Sequence, residues 1–198
     1  MLDNLKKYNI VLASNSPRRK ELLQRMGINF KVRTLFGIDE SYPDTLRGED
    51  IVCYISRNKA QAYRSSMAPD ELLITADTIV YVESQVMGKP KTPEQAKEML
   101  HKLSGKTHKV ITGVTILTAD RIENFGVTSQ VKFAEITDEE IDFYVDNYLP
   151  FDKAGAYGIQ GTFSIYVSGI EGDYFNVVGL PVSRLYHEFA AFQNAAHK

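Results

Sequence analysis

The chain has 198 residues and is 43% hydrophobic, enough to bury a continuous core, which suits one α/β domain or one core with two lobes. Lys and Arg total 23 against 25 Asp and Glu, and the resulting net charge of -2 excludes a global electrostatic attraction to nucleic acid or to an anionic membrane, so any phosphate site must be local. The single Cys53 excludes an internal disulfide framework and a cysteine zinc cluster. Its apolar neighbours make it a small buried hydrophobe in a reducing, cytoplasmic setting. The start Met1-Leu2-Asp3-Asn4-Leu5-Lys6-Lys7 lacks a signal-peptide core, and no apolar run approaches the roughly 18 residues of a membrane span.

Ile10-Val11-Leu12-Ala13 predicts a strand, followed by a loop at Ser14-Asn15-Ser16. A helix then opens with Ser16 as N-cap and Pro17 at the first position, carries Leu22, Leu23 and Met26 on one face, and closes at Gly27. The polar stretch from Ser41 to Asp50 reads as a loop. Val52, Ile55, Ala62 and Tyr63 predict a second helix, which bears Lys59, and the run from Leu72 to Val82 predicts a central strand. Thr92-Pro93-Glu94-Gln95 has the form of a capping box for a helix continuing through Ala96, Met99, Leu100 and Leu103. Strands are expected over Lys109–Thr118 and Val127–Ile136, with a turn at Ala119-Asp120. Thr137-Asp138-Glu139-Glu140 is a second capping box, for a helix reaching Pro150. Two further strands are expected at Ser164–Ile170 and Tyr174–Val178, and Pro181 opens a closing helix with Leu185, Phe189 and Phe192 inward. Helices interleave with strands, and the consecutive strands of the second half argue for a mixed sheet. The whole chain, residues 1–198, reads as a single domain.

Several segments carry chemistry. Ser14-Asn15-Ser16-Pro17-Arg18-Arg19 sets hydroxyls and guanidinium groups where a strand hands over to a helix N-terminus, which suits a phosphate chain, or else is a capped helix with solvated arginines. Asp77 lies inside an apolar strand, so it must be paired, metal-bound or at a strand end; there it can hold Mg²⁺ or take a proton from water, or it is a structural aspartate on an edge strand. Glu40 is a second metal carboxylate or a solvated loop residue. Lys59 and Lys89 are either point charges reaching a phosphate or ordinary surface lysines. Asp152-Lys153-Ala154-Gly155-Ala156-Tyr157-Gly158-Ile159-Gln160-Gly161 packs 3 glycines into ten residues without periodicity. It is a ligand wall with donors at Lys153 and Gln160, or a tight connection. Gly105-Lys106-Thr107 is no P-loop, because Leu100 stands where the first glycine belongs and a helix precedes it. His101, His108, His187 and His197 lack the spacing of a zinc pair.

Taken in order, Ser14–Arg19, Ile38-Asp39-Glu40, Ala76-Asp77-Thr78, Gly88-Lys89-Pro90, Leu103–His108, the decapeptide 152–161, and Gly179-Leu180-Pro181 after Tyr174 and Asn176 resemble the signature set of the Maf nucleotide pyrophosphatases, a family named for a link to septum formation. The ordered set spans nearly the whole chain. The resemblance implies a mixed central sheet with flanking helices and two lobes around a cleft that takes the nucleotide, similar to the inosine triphosphate pyrophosphatase fold. It implies hydrolysis of a nucleoside triphosphate to the monophosphate and pyrophosphate with a divalent cation, Mg²⁺ or Mn²⁺.

In such a site the resemblance makes Asp77 the proton acceptor, and the mechanism expected from it has Asp77 position the metal together with Glu40. Arg18, Thr78 and Gln160 bear on substrate choice, while Ser14, Arg19, Lys59, Lys89 and Lys153 complete the substrate contacts. Tyr157-Gly158-Ile159-Gln160-Gly161 is similar to the branch that hydrolyses dTTP and UTP. The implied partner is the nucleotide, not nucleic acid or membrane. Family members often form homodimers, and no pairing surface is legible in the sequence. The competing expectation is a nucleotide-binding regulator of cell division with incidental hydrolysis, against which an intact Asp77 argues.

Overall fold

The computed structural model describes residues 2–192; Met1 and His197 lie outside the described residues. Strand β1 (Asn9–Leu12) runs parallel to β2 (Lys31–Val32) and to the start of β3 (Glu71–Val82), with Ile10 beside Leu72 and Leu12 beside Ile74. Helix α1 (Pro17–Arg25) begins as the sequence dictates: the Ser16 hydroxyl accepts from the Arg19 backbone N–H at 3.4 Å and Pro17 occupies the first turn. Helix α2 (Glu49–Tyr63) buries Ile51, Val52, Ile55, Ser56, Ala60 and Tyr63 along one face.

Seven strands form one mixed sheet in the order β2-β1-β3-β5-β6-β7, with β4 (Gln85–Met87) antiparallel on β3, β5 spanning Thr107–Leu117, β6 Ile122–Phe133 and β7 Val167–Glu171. Helices α3 (Pro93–Leu103), α4 (Asp138–Tyr148), α5 (Tyr174–Val178) and α6 (Val182–Ala191) complete the elements. The chain divides into two compact units, Met1–Asp77 with Thr112–Val127 and Gly179–Lys198, and Thr78–Ile111 with Thr128–Val178. Among the described residues no helix is long and apolar enough to cross a membrane.

The first unit packs Val11, Ala60, Tyr63, Leu73 and Leu117 together, against Ala13, Ile38, Met67 and Ile122. The second unit is built on aromatics: Phe133, Tyr144, Tyr157 and Phe163 are buried, with ring centroids of 4.7–5.1 Å between Tyr144 and Phe163, Phe133 and Tyr157, and Phe133 and Phe163. Each such side chain contributes roughly 1.5–3 kcal/mol by leaving water. Lys97 of α3 reaches Asp142 of α4 at 2.7 Å.

The structure departs from the sequence expectations at identifiable points. The Thr137 box is complete, but at Thr92 only half of one forms: Thr92 caps the Gln95 N–H, while the Gln95 side chain accepts from the Lys91 N–H. Strand β6 starts at Ile122 rather than Val127 and ends at Phe133. The strand expected from Ser164 begins at Val167, after a 3₁₀ turn over Thr162–Tyr166. Tyr174–Val178 is helix α5 and not a strand: Asp173 Oδ1 accepts from the Phe175 N–H at 2.8 Å, and the buried Asn176 amide donates to the Val110 carbonyl and the Ser129 hydroxyl, both at 3.0 Å. Those side-chain bonds override the β-forming composition.

Helix α2 lies so close to β5 that a Cβ on Gly113 would sit 2.3 Å from the Val52 carbonyl oxygen and 2.8 Å from the Cys53 nitrogen, both backbone atoms that cannot swing aside. Gly113→Ala should therefore destabilise the fold by about 2 kcal/mol or more, a fall of roughly 4–8 °C in Tm. A melting curve unchanged within 1 °C would show that α2 does not need this approach.

Candidate active site

Asp77 lies in the middle of β3, after Leu72 to Ala76, which are all 0–2% exposed, and before Ile79 and Val80, which are buried again. In the sheet order β3 lies between β1 and β5, although β1 pairs only with Glu71–Ile74 and stops short of Asp77. The Asp77 carboxylate is paired: Lys59 Nζ lies 2.8 Å from Asp77 Oδ1 and 2.8 Å from Glu40 Oε1, with side-chain exposures of 14% for Lys59, 15% for Asp77 and 61% for Glu40. Two carboxylates thus converge on one ammonium, one shielded and one at the rim.

The aim of Lys59 is set by a buried polar network that the sequence reading did not identify. Thr75, two residues before Asp77, donates its hydroxyl to the Ser56 carbonyl at 2.6 Å. Ser56 in turn receives the Thr115 hydroxyl at 3.1 Å. The Asn124 amide nitrogen lies 2.7 Å from Thr115 Oγ1, 3.1 Å from the Cys53 carbonyl and 3.2 Å from Ser56 Oγ, so its two hydrogens serve a shared set of acceptors. Ser56, Thr75 and Thr115 are fully buried. Ser56 sits one helical turn before Lys59, so the network docks α2 onto the sheet where the lysine emerges. The legible signal was a serine on the apolar face of α2 and a threonine inside an apolar strand.

At the start of α1, the Ser14 hydroxyl accepts from the Ser16 N–H at 3.2 Å and lies 3.4 Å from Arg19 Nη1. Arg19 also donates Nε–H to the Gly179 carbonyl and Nη1–H to the Ala76 carbonyl, each at 2.9 Å. Burial lowers the Arg19 pKa, opposed by Asp77; guanidinium remains charged at any pH of interest. Arg18, beside it, is half-buried.

Within the second unit the structure joins the turn bearing Lys89 to the glycine-rich segment, through a bond from the Gly155 N–H to the Gly88 carbonyl at 3.0 Å. Gly155 (φ +67) and Gly161 (φ +130) have left-handed backbone, whereas Gly158 does not. Gly158 instead makes room for Lys153, whose Cε would lie 3.0 Å from an added Cβ and whose ammonium reaches Asp152 at 2.5 Å. Lys89 and Gln160 are exposed, and Thr78 is half-buried. Tyr157 is pinned by His108: the ring Nε2 lies 2.8 Å from the Tyr157 hydroxyl. His108 Nδ1 is buried without a partner, and burial pushes the His108 pKa down to about 4. That ring is neutral at pH 7 and shares one hydrogen bond with the Tyr157 hydroxyl.

Two other sequence features resolve as structure. Gly105 (φ +68) terminates α3, and Lys106 pairs with Glu83 at 2.8 Å, as expected of a helix cap and not a phosphate loop. Cys53 is half-buried, and burial with the nearby Glu49 and Asp50 raises its thiol to about 11, which leaves it protonated and unreactive at neutral pH.

Among the described residues no group of three or more His, Cys, Asp and Glu is placed to cage a metal ion. Asp77 and Glu40 nonetheless fit a hard divalent cation, since Mg²⁺ is typically held by one or two carboxylates and completed by waters and substrate phosphates.

The family model described as Maf-like protein matches residues 9–192. A protein named dTTP/UTP pyrophosphatase from Phocaeicola vulgatus is 59% identical over 189 residues, covering 95% of this chain and 98% of its own. Proteins of the same name from Parabacteroides distasonis and Bacillus cereus are 56% and 47% identical, covering 97% and 96% of this chain and 100% and 92% of theirs. Among solved structures, a HAM1 protein from Coxiella burnetii aligns with a TM-score of 0.50 at 12% identity, covering 95% of this chain and 100% of that one, a likeness of fold.

The neutral His108 has a measurable consequence. Its folded pKa is depressed below the ordinary histidine value of 6.5, so the unfolded chain takes up the proton first and stability falls as pH drops from 6.5 to about 4. The full difference is about 3 kcal/mol. Urea midpoints should therefore decline over that window more steeply for the wild type than for His108→Gln. Parallel declines would mean that the ring is hydrated or otherwise paired.

Proposed function

The chain belongs to the Maf-like family, and from that membership we propose that it hydrolyses dTTP and UTP to the monophosphate and pyrophosphate. The observation that carries this reading is the shielded Asp77 carboxylate, held at 2.8 Å by Lys59 in the same unit as the arginine-bearing start of α1. A site that only binds a triphosphate can use carboxylates to hold a bridging cation, but it does not need a proton acceptor. A site that must deprotonate water does. This weighs against a regulator with incidental hydrolysis.

In the reaction a water oxygen attacks the α-phosphorus, the bond to the bridging oxygen breaks, and that oxygen leaves with pyrophosphate. The water proton passes to Asp77. Lys59, donating to Oδ1, fixes the carboxylate so that Oδ2 is the acceptor. Arg18 and Lys89 offset the charge of the triphosphate and of the leaving group, and Arg19 adds to that field. Ser14 and Thr78 supply hydroxyls. Asp77 and Glu40 would hold the divalent cation, Mg²⁺ or Mn²⁺, whose chemistry when bound is to polarise the phosphoryl oxygens. Gln160, exposed beyond the pinned Tyr157, presents an amide that matches the donor and acceptor edge of uracil or thymine, with Lys153 shaping the segment that carries it.

Incubation with Mg²⁺ and dTTP, UTP, CTP or GTP should release pyrophosphate and monophosphate, fastest from dTTP and UTP. Orthophosphate in place of pyrophosphate, or no monophosphate from any nucleotide including modified pyrimidines, would sink the assignment. Asp77→Asn should lower kcat by about 10²–10⁴ while staying folded, and Gln160→Glu should alter the ratio among nucleotides more than the best rate. Near-wild-type turnover in a folded Asp77→Asn removes Asp77 as the base. Equal loss on every nucleotide in Gln160→Glu removes Gln160 as the base reader.

A further inference from the structure

We propose that Arg19 is a positioning residue that fixes β3 at Asp77, acting through backbone carbonyls instead of gripping the triphosphate. Its bonds join segments remote in sequence: Ser14 before α1, Ala76 in the middle of β3, and Gly179 after α5. Ala76 is 2% exposed and Ser14 8% exposed, so these acceptors have little access to water and need a protein donor. The Ala76 carbonyl belongs to the peptide that carries the Asp77 N–H. Fixing that peptide plane sets the direction in which the Asp77 side chain leaves the strand, and hence where its carboxylate meets Lys59. Gly179 offers its carbonyl from a backbone at φ +124, a conformation that favours glycine.

The fork geometry is what matters. In a planar guanidinium the Nε–H and Nη1–H directions are fixed relative to each other, so the Gly179 and Ala76 carbonyls are held in one plane. A lysine carries the same charge on a single flexible nitrogen and cannot reproduce this. The adjacent arginines thus divide the work, Arg18 serving the substrate and Arg19 the strand at Asp77. This inference rests on Asp77 being the proton acceptor.

Arg19→Lys and Arg19→Gln test it through kcat and KM for UTP, the inhibition constant of pyrophosphate, and the urea midpoint of the protein without nucleotide or metal. A misplacement of about 1 Å costs on the order of 100-fold. Both variants should therefore lose kcat on that scale, with KM and the pyrophosphate constant within about threefold of wild type and a lowered urea midpoint. A variant that no longer unfolds cooperatively is the extreme of that loss, because it leaves the Ala76 and Gly179 carbonyls without their donor. The proposal is overturned if Arg19→Lys keeps wild-type kcat, or if Arg19→Gln weakens UTP and pyrophosphate about tenfold or more with an unchanged midpoint. If the wild type releases no pyrophosphate from any nucleotide, the hydrolytic reading falls separately, and the urea comparison still decides the structural role of Arg19.

Discussion

The pairing of Lys59 with Asp77 is the interaction on which the first unit is organised. With both side chains about one-seventh exposed, each charge has lost most of its water, and their mutual attraction must offset that loss. Such pairs are poor sources of net stability, and loss of the Asp77 charge still leaves Lys59 its second partner, Glu40. The rest of the unit supports the pair: Thr75, Ser56, Thr115 and Asn124 dock α2 from behind, Gly113 lets the helix approach, and Arg19 holds the peptide before Asp77. Polar groups replace apolar packing at the places where the two charges have to be aimed.

The second unit solves a different problem, holding an irregular, glycine-rich segment still. Its constraint is packing. The Tyr157 ring is edge-on to Phe133 and His108, its hydroxyl is hydrogen-bonded to His108 Nε2, and Gly155 lies against Val80 with no room for a Cβ. Gly158 serves Lys153 and not a ligand, so the glycines of this segment have separate reasons: left-handed backbone at 155 and 161, and space for a side chain at 158. Gln160 follows a segment that is already rigid, which lowers the entropy lost when it engages a base.

Much of this was legible before the structure. The apolar run of β3, the Ser16 and Thr137 caps and the stripe of α2 are strong local signals, and the ordered motifs named the family. Local signals failed where side-chain bonds outweighed propensity. Tyr174–Val178 has strand composition, but Asp173 and Asn176 write a helix there. Strand β4 went unseen because its two-residue turn, Glu83-Ser84, has positive φ at both positions without the Asn-Gly or Asp-Gly that marks such hairpins. The candidate site was legible as residue types and illegible as partners: sequence said that Asp77 needed a counter-charge, and only the structure shows that it is Lys59.

Release of a monophosphate and pyrophosphate is compatible with water attack at either the α- or the β-phosphorus, so the role given to Asp77 turns on which atom is attacked. Hydrolysis of UTP in ¹⁸O-labelled water, with mass analysis of both products, decides it directly. The account predicts the label in UMP and none in pyrophosphate. Label in pyrophosphate would place the attacking water at the β-phosphorus and contradict it.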